Sequence, residues 1–209
     1  MTVIVTRGLL FDSDGVLFDS DASVVSARSR WAERYGLDPA EVTAMVHGRR
    51  SADTVAALLP SHRVPAALAL IDRYEVEEAA DVTALPGAAE MLASLPPGTW
   101  AVVTSGVTAL ATARLAAAGL PIPPVLVTAD IVIHGRPAPE GYLTGAAGLG
   151  LAPCECTVFE DAPSGIRAAR AAAVGAVIGV GPRSHGLDVD TTIDDLSHAR
   201  FHAGSLYLE

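Results

Sequence analysis

Short apolar runs recur along the chain at 8–12 (GLLFD), 100–104 (WAVVT), 125–128 (VLVT), 157–160 (TVFE) and 176–180 (AVIGV). They are rich in Val, Leu and Ile, show no alternation with polar residues, and stop at turn formers. That is the pattern of strands buried on both faces. Between them lie alanine-rich stretches at 87–95, 107–119, 139–149 and 163–174. Alanine forms helix most readily of all residues, so these stretches read as helices. Pro86-Gly87 and Pro96-Pro97-Gly98 punctuate the succession. Strand and helix therefore alternate, which predicts an α/β fold with a parallel sheet flanked by helices on both faces.

Residues 21–80 depart from this pattern and offer no convincing strand. Their apolar positions group as Trp31, Tyr35, Leu37, Val42 and Met45, then Val55, Leu58 and Leu59, then Leu68, Leu70 and Ile71. This predicts three or four helices inserted between the first and second strands. The chain then divides into an α/β core over 1–17 and 83–209 and a small helical insert over 18–82. Asp19, Ser20 and Asp21 stand where the first inserted helix needs a cap and a hinge. The stretch GVGPRSHG (179–186) looks superficially like a glycine-rich dinucleotide loop. It falls late in the chain with no strand expected after it, and is read as a loop near the crevice.

Composition narrows the function. The chain has 209 residues, half of them apolar, enough for one core plus a small appended domain. The net charge is −10, and no basic run is long enough to follow a phosphate backbone, which argues against a nucleic-acid partner. No apolar stretch has the length of a membrane span. The first residues, MTVIVTRGLLFD, carry only Arg7 as a basic residue and no small-residue cleavage site, so they do not read as a signal peptide. The two cysteines, Cys154 and Cys156, support neither a disulfide framework nor a metal site and read as reduced thiols. These features predict a cytoplasmic protein, monomeric or weakly dimeric, with neither membrane nor nucleic acid as a partner.

The chemistry stands at the strand ends. Asp12 and Asp14 close the first run, and Glu160 and Asp161 close the fourth. In open α/β sheets ligands bind outside the carboxyl ends of the strands. Four carboxylates facing one crevice would repel one another, and a hard divalent cation that takes oxygen ligands, such as Mg²⁺, relieves this. Thr104, Ser105 and Gly106 end another strand. There a hydroxyl and successive backbone N–H groups can hold an anion, although the same triplet also serves as a plain N-cap and turn. Arg136 precedes Pro137 in HGRPAPEGY, where a surface position would be the bland reading.

In order along the chain, D-x-D-G-V-x-x-D-S, T-S-G, G-R-P-x-P-E-x-Y and E-D-x-x-x-G-I-x-A-A-x-A-A resemble the four motifs of the haloacid dehalogenase superfamily. The resemblance covers nearly the whole chain. Within that superfamily, HGRR (47–50), VTALPG (82–87), VTSG and VFEDAPSG look most like the bacterial sugar phosphatases and the glycerol-3-phosphate and 2-deoxyglucose-6-phosphate phosphatases. It implies a Rossmann-like core with the helical insert as a cap, and Mg²⁺-dependent hydrolysis of a small sugar or polyol phosphate.

The resemblance also assigns roles. Asp12 is the nucleophile that becomes an aspartyl-phosphate, and Asp14 is the general acid, then base. Asp12, the Asp14 carbonyl and Asp161 are the implied Mg²⁺ ligands, with Glu160 a ligand directly or through water. Thr104, Ser105 and Gly106 hold phosphoryl oxygens, and Arg136 supplies the positive charge that the superfamily usually takes from lysine. Side chains two apart on a strand point to opposite faces, so the strand has to end near Asp12 and Gly15 has to turn the chain. In the cap, His47, Arg49, Arg50 and Asp53 lie on a loop that such phosphatases direct at the substrate, where they would bind sugar or polyol hydroxyls with Arg50 the best candidate; a solvated basic turn is the other reading. The rival functions are a phosphomutase using the same intermediate and a sugar-phosphate-binding protein with little catalysis. A dehalogenase would need neither the second aspartate nor the carboxylate cluster.

Overall fold

The computed structural model describes residues 2–45 and 48–209. A parallel six-stranded sheet forms its centre, built from β2 (Gly8–Phe11), β5 (Trp100–Val103), β6 (Leu126–Val127), β7 (Cys156–Glu160), β8 (Ala176–Val180) and β9 (Thr191–Ile193). Its spatial order is β6-β5-β2-β7-β8-β9. The first strand of this sheet thus lies in the middle, and the chain winds outward from it in both directions. That is the doubly wound arrangement, with its crevice where the winding reverses. Strand β2 is covered on both sides: Leu9 and Phe11 join one apolar core and Leu10 the other. Phe11 stacks on Phe159 of β7 at 4.9 Å between ring centroids. Helices α5 (Ala88–Ser94), α6 (Thr108–Ala117), α7 (Glu140–Gly148) and α8 (Pro163–Ala171) follow the strands as their alanine-rich sequences predict.

Between β2 and β5 the insert forms α1 (Asp21–Tyr35), α2 (Pro39–Thr43), α3 (Ser51–Leu58) and α4 (Val64–Glu77). These helices enclose an apolar core of their own around Trp31, Val42, Val55 and Ile71. The Trp31 indole N–H donates to the Ala67 carbonyl at 2.9 Å, tying α1 to α4. The chain enters and leaves the insert along a short antiparallel pair, β3 (Phe18–Asp19) with β4 (Thr83–Ala84).

The end of the chain differs from its sequence reading. Strand β9 does follow GVGPRSHG and pairs in parallel with β8. Beyond it, β10 (Ala199–His202) and β11 (Ser205–Leu208) form an antiparallel sheet with β1 (Thr2–Val5). The three residues of β9 are too few to show a period. In the small sheet β1 is largely exposed and β11 buries only alternate residues, so neither reads as a continuous apolar run.

Candidate active site

Strand β2 ends at Phe11, and Asp12 is the first residue beyond it. The Asp12 N–H donates to the Phe159 carbonyl at 3.0 Å, which fixes the start of the loop against the neighbouring strand. Glu160 and Asp161 stand at the end of that neighbour. Asp12, Glu160 and Asp161 are buried, and one carboxylate oxygen from each lies within 4.8 Å of the others. Two glycines make this approach possible. Gly15 sits at φ +81°, and a Cβ there would overlap Asp161 and Arg183; a Cβ on Gly165 would overlap the Glu160 carboxylate. The turn at Gly15 is thus the one that the Asp-x-Asp-Gly spacing requires.

Arg136 lies inside this group. Its Nη2 donates to Asp12 Oδ1 at 2.8 Å and to the Val103 carbonyl at 2.7 Å, and its Nη1 meets Glu160. The buried Tyr142 hydroxyl donates to Glu160 Oε1 at 3.0 Å. Burial pushes the Asp12 carboxyl up, Arg136 pulls it back, and the balance leaves it above the usual range. Burial likewise raises Glu160 and Asp161, reinforced by their neighbouring carboxylates and opposed by Arg136 and Arg183. Burial also holds the Tyr142 hydroxyl in its protonated, donating form.

Asp14 occupies a different environment. Its Oδ1 accepts from Arg114 Nη1 at 2.6 Å and from Ser20 Oγ at 2.5 Å, and its Oδ2 accepts from Ser13 Oγ at 2.9 Å. Burial alone would raise this carboxyl, but Arg114 and the two hydroxyls outweigh it and hold it below the usual range. Ser20 therefore does not cap α1 with its side chain. Asp19 takes part of that role, accepting from the Asp21 N–H at 3.0 Å.

Thr104 and Ser105 follow β5, next to β2 in the sheet. Thr104 Oγ1 lies 2.8 Å from Ser13 Oγ and accepts from the Gly106 N–H at 3.2 Å. Ser105 Oγ and Ser164 Oγ both donate to the Gly48 carbonyl, at 3.3 and 3.0 Å, docking the insert's loop on the core. Arg49 lines the cleft with Asp12 and Ser105. Arg50 turns away to Asp53 at 2.9 Å and to the Ile133 carbonyl at 3.0 Å. His47 lies outside the described residues. Arg183, from the loop read as lying near the crevice, joins Asp161 at 2.7 Å to Asp21 at the start of α1.

A family model described as haloacid dehalogenase-like hydrolase matches residues 6–173. The chain belongs to the haloacid dehalogenase-like hydrolases. It is 44% identical over 171 residues to hexitol phosphatase A of Escherichia coli (strain K12), covering 79% of each chain. It is 31% identical to glycerol-1-phosphate phosphohydrolase 2 of Saccharomyces cerevisiae (strain ATCC 204508 / S288c), covering 78% of this chain and 70% of that protein. The crystal structure of a hydrolase from Pseudomonas syringae superposes with a TM-score of 0.76 at 25% identity, covering 90% of this chain and 93% of that one.

In this haloacid dehalogenase-like hydrolase the donor set suits a hard cation. It consists of carboxylate oxygens, and burial together with mutual repulsion disfavours the charge on Glu160 and Asp161 even with Arg136 and Arg183 beside them. Sequence reading found Asp12, Thr104, Arg136, Glu160 and Asp161, which the sheet brings together. It passed over Arg114, Arg183 and Tyr142. Tyr142 carried a usable signal, since it lies in the same motif as Arg136.

Proposed function

We propose that the chain hydrolyses small sugar or polyol phosphates through an aspartyl-phosphate on Asp12, with Mg²⁺ as cofactor and the helical insert, residues 18–82, as a cap. The observation that carries this reading is the meeting of Asp12, Thr104, Arg136, Glu160 and Asp161 beyond three adjacent parallel strands. The names of the relatives support it: hexitol and glycerol-1-phosphate phosphatases put the substrate class among polyol and sugar monophosphates.

Asp12 attacks phosphorus, and the leaving alkoxide takes a proton from Asp14. An anion attacking a dianion meets repulsion, and the Arg136 guanidinium beside Asp12 offsets it. The Thr104 hydroxyl and the backbone N–H groups that follow it hold the phosphoryl oxygens. Asp12, Asp161, Glu160 and the Asp14 carbonyl would hold Mg²⁺, which supplies charge neutralisation at the phosphoryl group. In the second step Asp14 draws a proton from the water that attacks the aspartyl-phosphate. Its pairing with Arg114 favours the ionised, base form. A phosphate dianion arriving nearby raises its pKa and loads the proton that the first step needs.

Phosphate release from a panel of polyol and sugar monophosphates, with Mg²⁺ and with EDTA, tests the reading. Release should require Mg²⁺, and Asp12→Asn should abolish it. Full turnover in EDTA, or near-normal turnover by folded Asp12→Asn, would overturn the reading.

A further inference from the structure

Three helices of the insert each bring one polar side chain to the wall of the cleft that Asp12 and Asp161 also line. Arg28 comes from α1, Ser51 opens α3 and Glu75 comes from the end of α4. Arg28 Nε donates to Glu75 Oε1 at 2.9 Å, Arg28 Nη2 donates to Ser51 Oγ at 2.9 Å, and Ser51 Oγ donates to Glu75 Oε2 at 2.9 Å. Arg28 and Glu75 are each only 4% exposed. All three residues nevertheless line the cleft that also contains Asp12, Asp14 and Arg136.

The ion pair borders the insert's apolar cluster, and a pair this deep adds little stability over well-packed hydrophobic residues. Its position on the cleft wall gives it another use. Glu75 Oε2 accepts only from Ser51 among the described residues, and Arg28 Nη1 donates to none of them. An acceptor site on Glu75 and a donor on Arg28 are thus left on two residues of the cleft wall, and substrate hydroxyl groups, which both donate and accept, can use either. We propose that Arg28, Ser51 and Glu75 form the wall of the cleft that reads the hydroxyl groups on the organic part of the substrate. The inference rests on the phosphatase reading and names the residues that select its polyhydroxylated substrates over plain alkyl phosphates.

Sorbitol 6-phosphate and 1-hexyl phosphate make the comparison. Both have a six-carbon chain and an alkoxide leaving group, and they differ in hydroxyl groups. Wild type should favour sorbitol 6-phosphate in kcat/KM by at least about ten-fold, because a site built to bond hydroxyls rejects an analogue that leaves its polar groups unpaired. Ser51→Ala and Glu75→Gln should each reduce that ratio by at least about three-fold, mainly through KM for sorbitol 6-phosphate. Ser51→Ala keeps the Arg28–Glu75 pair, so its melting temperature should stay near wild type. A wild-type ratio near one, or an unchanged ratio in folded Ser51→Ala, overturns the wall while the phosphatase reading stands. Release from neither compound with Mg²⁺ overturns both.

Discussion

Replacing Arg136 by alanine would remove the cation between Asp12 and Glu160, both buried. Taking one partner from a buried charge pair costs about 3–5 kcal/mol, because the charge left behind can neither pair nor reach water. Without metal, that loss should appear as a fall in melting temperature of roughly 6–20 °C for a chain of this size. Mg²⁺ should return part of it by neutralising the stranded carboxylates. In catalysis the same charge offsets the repulsion between Asp12 and the incoming phosphate. At about 1.4 kcal/mol per decade, the loss is about two to four decades in kcat/KM. Arg136→Lys keeps a cation beside Asp12 but cannot make the fork that also engages Glu160. It should retain measurable turnover, well above the alanine variant. The assay is kcat/KM on one polyol phosphate for the three proteins, with melting curves in EDTA and in Mg²⁺. If Arg136→Ala hydrolyses as fast as wild type, the assignment of Arg136 to the phosphoryl site fails.

Asp161→Asn should lower Mg²⁺ affinity, read by isothermal titration, as well as rate; unchanged affinity would remove Asp161 from the ligand set. Burial, then the nearby Glu75, push the Asp72 carboxyl from 3.8 up to about 6, against the opposing pull of Arg28. The folded state therefore disfavours the ionised form, and stability is lost as pH rises from about 4 through about 6. Asp72→Asn should raise the melting temperature at pH 7.5 by a few degrees, on the order of 1 kcal/mol for a half-buried group, with no gain near pH 4. A gain of equal size at both values would refute the charge origin. Arg50 bonds to Asp53 and to core carbonyls, so Arg50→Ala should lower kcat/KM on polyol and aryl phosphates by the same factor; a loss confined to the polyol phosphate would make it a recognition residue instead.

What the sequence disclosed follows from how each part is buried. Strands β2, β5, β7 and β8 are buried along their whole length and read as unbroken apolar runs. Asp12, Thr104, Glu160 and Asp161 were legible because each closes such a run, where the α/β fold puts its ligands. Arg114 was not. It sits in an alanine-rich helix, where an isolated arginine looks solvated, yet it reaches Asp14, 100 positions earlier. Glu75 meets Arg28 across 47 positions and Arg183 meets Asp161 across 22, between elements whose mutual placement no local pattern encodes. Ser20 carried a misleading signal: at a helix start a serine reads as a cap, and its hydroxyl is engaged by Asp14.

These pairings together set the charge of the cleft. Arg28 answers Glu75, Arg114 answers Asp14, Arg136 answers Asp12 and Glu160, and Arg183 answers Asp161. The cleft is therefore close to balanced before anything binds. Mg²⁺ alone would add two positive charges to that balance, and a phosphate dianion alone two negative ones. Bound together they add none. Each should then bind better in the presence of the other, and the coupling has to be reciprocal. Arg136 and Arg183 would carry the adjustment, because both pair with carboxylates proposed as metal ligands. With Mg²⁺ on Asp12 and Asp161, as proposed, Arg136 and Arg183 would be left to face the incoming phosphoryl oxygens, Arg183 while still paired with Asp21 at the start of the insert's first helix. The same arginines that pair with the carboxylates without metal would then form the positive wall of the loaded site.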